Sequence, residues 1–263
     1  MFGYFLYRNA WRFDDAPHKE EKIPNSIVRK LLNKKGWLLR NTFDFDREEE
    51  TEFWYIIKDR FDDFNELSYK TRKRVRKALN HYEYKIIDKE ILVREGYDIY
   101  KESLNSYRIK DRKVTRKEFL KLFKEGSECW ACYEKRDNQL IGFAVNYIWE
   151  DSCQYEFSAI IPKYRKDNTN PYYGLYHKRN QYYLGEKKLK YVCDGSRSIT
   201  EHSNIQPFLI HNFKFRKAYC KLKIYYKWWF GVVIKVLFPF RNIIPFRKVK
   251  AILKMEAYSR GLR

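Results

Sequence analysis

Apolar positions recur along this chain with two periods, and each change of period marks the edge of an element. The segments "GWLLRNTFDF" and "TEFWYIIKDRF" flank the acidic run "DREEE", so residues 1–66 read as irregular structure followed by strands. From Ser68 the period turns helical. Thr71, Val75, Leu79 and Tyr82 form one apolar stripe, Ser68 stands in the capping position, and Lys70, Arg72, Lys73, Arg74, Arg76 and Lys77 cover the rest. "YEYKIID" then predicts a strand and "REGYDIYKESLNSYR" a helix. A second helix, "VTRKEFLKLFKEG", is expected to start at the Thr115 cap and stop at Gly126. Three strand-like segments follow, "CWACYEKR", "QLIGFAVNYIW" and "SCQYEFSAIIP", joined by the turn residues "RDNQ" and "EDS". After them come a helix in "NPYYGLYHKRNQYYLGEKK", with Asn170 as candidate N-cap and Pro171 at its first position, and the strand "KYVCDG". The helix "EHSNIQPFLIHN" and the strand "RKAYCKLKIYY" complete the series.

The order from residue 83 is therefore β-α-α-β-β-β-α-β-α-β. Three successive antiparallel strands and then a crossover predict an α/β (α+β) fold, with a mixed, mostly antiparallel sheet flanked by helices. The chain divides into N-terminal strands with the basic helix (1–82), a central domain (83–227) and a basic, aromatic tail (228–263). Residues 228–240 carry a single charge, yet thirteen helical residues reach only about 20 Å, too short to cross a bilayer. Paired Trp, prolines at 239 and 245 and flanking Lys and Arg support two expectations. The tail lies as an amphipathic element on an anionic membrane or a partner, or it closes the core of its own domain.

Charge narrows the partners. With 55 Lys and Arg against 34 Asp and Glu, the net charge of +21 favours nucleic acid, phosphorylated cofactors or an anionic membrane face. Five cysteines, an odd number set mostly in apolar runs, read as reduced thiols of a cytoplasmic protein. "CWAC" has no second Cys or His pair to complete a metal site, so no metal is expected. The N-terminus lacks the basic and apolar regions of a signal peptide. The Asp, Ser and His residues of "YVCDGSRSITEHSNIQPFLIHNFKF" suggest a hydrolase triad at first reading. A nucleophile elbow needs G-x-S-x-G on a strand-to-helix turn, and "DGSRSI" offers one Gly in the wrong frame.

The order of elements over 83–227 resembles the GNAT acyltransferase fold, and the basic helix ahead of it resembles the FemABX-like branch of that superfamily. The resemblance implies that "QYEFSAIIP", ending in Ile160 and Ile161, is the strand beside the acyl donor. It further implies that the next helix receives a CoA pyrophosphate through Lys163, Arg165, Asn170 and Gly174. A carboxylate on that strand often serves as general base. Glu156 fills this place, where desolvation is expected to raise its pKa. Asp194, Arg197, His202 and Asn204 follow the next strand, where the sheet of this fold splays open. The family's glycine-rich pyrophosphate loop is absent from "PKYRKDNTNPYYG", its C-terminal Tyr is replaced by Ile210, and its "GF" pair by Lys214-Phe215. The implied activity is transfer of an acyl group, acetyl from acetyl-CoA foremost, to an amine of a small molecule, a sugar or an envelope precursor. The alternatives are aminoacyl transfer from aminoacyl-tRNA to a peptidoglycan-type precursor, or an inactive scaffold held at the inner membrane face.

Overall fold

A computed structural model describes residues 3–7, 9–106, 115–165, 169–199 and 204–262. Its elements in chain order are β1 (Tyr4–Tyr7), β2 (Ala10–Phe13), α1 (Asn25–Lys34), β3 (Leu38–Arg47), β4 (Trp54–Lys58), α2 (Tyr69–His81) and β5 (Tyr82–Ile87). There follow α3 (Lys89–Asn105), α4 (Arg116–Leu120), β6 (Ser127–Glu134), β7 (Gln139–Ile148), β8 (Ser152–Ile160), α5 (Pro162–Arg165) and α6 (Tyr172–Asn180). The last are β9 (Tyr191–Ser196), α7 (Ile205–Phe213), β10 (Arg216–Tyr226), α8 (Trp228–Leu237) and α9 (Arg247–Ser259). The fold is mixed α/β and its strand pairs are mostly antiparallel. The chain gathers into two compact units, one of residues 1–56, 196–201 and 217–263, the other of 57–195 and 202–216.

In the first unit β1 and β2 form an antiparallel hairpin, β2 runs parallel to β3, and β3 pairs antiparallel with β10. Helix α1 lays Val28, Leu31 and Leu32 against Trp11, Ile23 and Leu39. Its sequence "NSIVRKLLNK" sits in the stretch read as irregular, because four apolar residues after Pro24 make too short a stripe to stand out. The tail belongs to this unit. Phe230 and Ile234 of α8 are buried, with the Phe230 ring 5.5 Å from Trp37 and 5.8 Å from Tyr226.

The second unit carries the antiparallel run β5-β6-β7-β8, with β9 parallel to β8. Side chains three apart on a strand face opposite ways. Cys129 of β6 thus joins Leu92, Tyr100 and Leu104 of α3 in one core cluster, while Cys132 meets Tyr84, which packs against Gly174 of α6. Both thiols are buried and free, and burial pushes Cys129 up to about 12.

The predicted order β-α-α-β-β-β-α-β-α-β is observed with one addition, the short helix α5 between β8 and α6, and the Ser68 and Thr115 hydroxyls cap α2 and α4 as read, at 3.2 Å from the N–H groups of Thr71 and Glu118. Two helices are shorter than expected. Helix α4 ends at Leu120, because Leu122 and Phe123 turn back onto carbonyls three residues earlier. Helix α6 ends at Asn180 and widens into a π-helical turn over Gln181–Glu186.

Helix α7 ends on Lys214 in the left-handed conformation, at φ 58° and ψ 30°. This is the place where the resembling family carries the Gly of its "GF" pair. A Cβ strains that conformation, and the exposed Lys214 side chain adds like charge near the buried Lys58. Lys214→Gly should stabilise the fold by about 0.5–1 kcal/mol. Urea unfolding tests this, and an unchanged or lowered midpoint would show that the side chain holds the helix end.

Candidate active site at the parting of two parallel strands

Strands β8 and β9 pair over three positions only, Ser152 with Tyr191, Cys153 with Val192 and Gln154 with Cys193. Beyond Cys193, Asp194 and Gly195 continue β9 while β8 stays with β7 through Ile160. Gly195, at φ +89°, takes a backbone conformation that a side chain would strain. The two strands therefore part where the resemblance predicts a splay.

The β8 side of this opening is shaped by a bulge. Val145 pairs with Phe157 and Asn146 with Tyr155, which leaves Glu156 as the extra residue. In a regular strand, residues three apart face opposite ways. Across the bulge Tyr155 and Ser158 come to one side, where Arg179 of α6 touches both.

Arg179 is fully buried. Its guanidinium lies 3.6 Å from the centre of the Tyr155 ring and 5.2 Å from that of Tyr176. Nη1 donates to Ser158 Oγ at 3.1 Å and Nη2 donates to Asn146 Oδ1. Nε has no hydrogen-bond partner among the described residues. A buried cation needs compensation, and here two π faces and two neutral oxygens supply part of it. The half-buried Asp194 lies within reach of the same charge. Desolvation pushes its carboxyl up to about 7, against the downward pull of Arg179. The polar chain runs on from Asn146, whose Nδ2 donates to Tyr183 OH at 2.9 Å, and Tyr183 OH donates to Glu128. Tyr155 OH donates to Asn180 Oδ1 at 2.8 Å.

Helix α6 is fixed from two sides. His177 is buried against Phe61 and Phe64 and contacts Asp63 at 3.2 Å. Burial pushes its pKa down to about 4 although Asp63 acts the other way, so the imidazole is neutral at pH 7. The same loop is tied by Lys58 to Glu66 at 2.6 Å, a buried pair in which desolvation lowers the lysine and raises the carboxyl. From α2, Arg74 donates to Tyr173 OH at 2.5 Å and Arg76 lies over Phe64. Both arginines remain exposed, so the basic face of α2 keeps its charge toward solvent while touching these rings.

The sequence-predicted residues separate accordingly. Asp194 lies at the opening. Glu156 is exposed, because the bulge turns it away from the packed face. Ile160 is core and Ile161 packs against the α3 cluster. Lys163 lies over the Tyr164 ring, and Arg165 donates to Ser106. The N-cap of α6 is Pro171, one place later than expected, and Asn170 stands before it with its Oδ1 accepting from Tyr172 N–H at 3.1 Å. A Cβ on Gly174 would stand 2.4 Å from the Tyr84 ring, whose hydroxyl donates to Pro171 O at 2.9 Å. This first turn of α6 is covered by Tyr84. Asn204 is exposed at the start of α7 without a side-chain capping bond. His202 lies outside the described residues. Arg197 sits in the other unit, paired with Glu52 at 2.8 Å and stacked 3.9 Å from the centre of the Tyr258 ring. Sequence reading missed Arg179, Tyr155, Tyr176 and Asn146. The available signal was an arginine set among aromatics at helical spacing, Tyr172, Tyr173, Tyr176 and Tyr183.

No family model matches the chain, and no curated protein matches it in sequence. Solved structures do match. FemX is 10% identical over 81% of this chain and 77% of its own, with a TM-score of 0.57. L-PGS from Bacillus licheniformis is 11% identical over 89% and 83%, with a TM-score of 0.54. The C-terminal domain of a putative lysylphosphatidylglycerol synthetase from Agrobacterium fabrum is 11% identical over 89% and 84%, with a TM-score of 0.52. The likeness is one of fold, and the fold is GNAT-like of the FemABX-like kind.

Two outcomes test this geometry. Gly174→Ala should cost about 1–3 kcal/mol by overpacking against Tyr84. The loss should shrink in a Tyr84→Ala background, and an additive double-mutant cycle would disprove the contact. A carboxyl whose folded pKa near 7 lies above its unfolded value stabilises the fold most when protonated. Its contribution is complete below about pH 4 and is lost as the pH rises through 7. Asp194→Asn should therefore be more stable than wild type at pH 8, by up to about 2 kcal/mol once solvent screening of a half-buried group is allowed for. The advantage should vanish near pH 4; a variant less stable at pH 8 would mean that Arg179 outweighs burial.

Proposed function

We propose that this chain transfers an aminoacyl group from an aminoacyl-tRNA to an amine, at the parting of β8 and β9. One observation carries the choice of donor. The first turn of α6, where the resemblance would seat a CoA pyrophosphate, has Tyr84 against Gly174 and Asn170 on the Tyr172 N–H. A diphosphate on a helix N-terminus requires open backbone N–H groups. The likeness in fold to FemX and to a putative lysylphosphatidylglycerol synthetase supports the same reading. So does a net charge of +21, suited to a polyanionic donor.

The chemistry asks little of the protein. The acceptor amine, once neutral, attacks the ester carbonyl; a C–N bond forms and the ester C–O bond breaks. The proton released by the amine passes to Asp194, whose carboxyl near pKa 7 is matched to this task. The departing ribose oxygen takes a proton in turn. The Arg179 charge lies beside the negative charge that develops on the carbonyl oxygen. The acceptor would be an amine of a small molecule or of an envelope precursor. Acetyl transfer from acetyl-CoA is the competing reading, with Lys163 and Arg165 outside the covered turn to meet phosphates.

Thermal unfolding with each donor separates the two. A ligand at about a hundred times its Kd stabilises by about 2.7 kcal/mol, so binding shows as a shift of several degrees. Aminoacyl-tRNA should shift the transition, less so as salt rises, and acetyl-CoA should not. A shift with acetyl-CoA alone would overturn the choice of donor. Asp194→Asn should lower kcat at least about a hundredfold, and the wild-type rate should rise with pH through about 7. An unchanged pH profile in the variant would remove Asp194 from the step.

A further inference from the structure

Helix α8 is apolar nearly all round, yet only half of it is covered. At about 100° per residue, Phe230 and Ile234 share one side and are buried. Trp228, Val232, Val236, Trp229 and Val233 span an arc of about 140° on the other, and all five are exposed. Trp228 is 80% exposed, Val232 56% and Val236 61%. The chain beyond the helix continues the pattern, with Phe240 54%, Ile243 76% and Phe246 71% exposed. A helix apolar on every side belongs in a core or against another apolar phase, and exposed apolar surface of this extent marks an interaction site.

The charge around the arc indicates the phase. Lys235 lies at its edge, about 20° from Trp228 on the helical projection. Between Lys227 and Lys254 the sequence has seven Lys and Arg and no Asp or Glu. Apolar side chains with tryptophans at one end and a rim of single-sign cations match an anionic lipid surface, whose acyl region takes the Val and Trp while its headgroups meet the cations. A second copy fits poorly: a two-fold contact would set this cationic rim against itself. Among the described residues no helix is long and apolar enough to cross a membrane, so the element would lie in the interface.

We propose that α8 docks the protein on an anionic membrane surface, inserting Trp228, Val232 and Val236. The proposal stands independently of the donor assignment, since it concerns the other compact unit and a different observable.

Co-sedimentation of the full chain with vesicles tests it. Wild type should pellet with vesicles holding about a third phosphatidylglycerol, leave them as salt is raised, and bind pure phosphatidylcholine far less. The double variant V232S/V236S changes two exposed side chains, and an unshifted melting temperature would confirm that its fold is intact. Its partitioning should fall at least about tenfold. Lys235→Glu should weaken binding to the anionic vesicles alone. Wild type remaining in the supernatant with both compositions, or V232S/V236S pelleting like wild type, would overturn the proposal. So would a concentration-dependent dimer that V232S/V236S abolishes while neither protein binds vesicles; the arc would then be an interface between copies.

Discussion

The second unit is organised around the burial of one guanidinium. Taking the Arg179 charge out of water is unfavourable by several kcal/mol unless its surroundings replace the lost solvation. The replacements come from three elements at once: the Tyr155 ring and Ser158 hydroxyl of β8, the Asn146 amide of β7, and Tyr176 one turn earlier on α6. Two of the three depend on a departure from regular geometry. Tyr155 and Ser158 reach one side of β8 because Glu156 is bulged out. Tyr183 supports Asn146 from the π-helical turn that follows α6. Irregularities of this kind recur at functional sites, where they re-aim side chains that a regular ladder would point elsewhere.

The surplus of positive charge and the abundance of aromatics are partly the same fact. A sequence with 55 Lys and Arg, 23 Tyr and 19 Phe can satisfy cations on π faces as well as on carboxylates. Arg74 lies over Tyr173, Arg76 over Phe64, Lys217 over Trp54 and Arg197 over Tyr258. These contacts leave the charge itself in place, and Arg74, Arg76 and Lys217 stay exposed. The tail does the same, with Arg241 and Arg260 over Phe238, and adds exposed apolar side chains on α8 beside Lys235.

Local signals were legible and long-range ones were not. Ser68 and Thr115 cap through hydroxyls three residues from their targets, and the strand order from residue 83 follows period and turn chemistry. The first unit, by contrast, joins residues 1–56 to 217–263 through the β3–β10 ladder, and no local pattern announces a partner so distant in sequence. The exposure of Glu156 was hidden for the same reason. Alternation places it on a packed strand, whereas the bulge that exposes it exists only in register with β7. Arg179 was hidden because an arginine in a polar-looking helix normally faces water.

The state of Asp194 follows from how Arg179 is satisfied. A carboxylate in direct ion pairing with a buried arginine would be held well below its ordinary range. Among the described residues no hydrogen bond joins the two; Arg179 gives its terminal N–H groups to Ser158 and Asn146 and reaches Asp194 through charge alone. Burial then prevails over attraction, and the carboxyl stays near pKa 7, able both to accept and to return a proton. The neutral oxygens on Arg179 thus serve two ends. They make the buried cation tolerable, and they leave the neighbouring carboxyl basic. A second carboxylate in place of either oxygen would repel the charged form of Asp194 and push its pKa higher still, out of the range that suits a base at neutral pH.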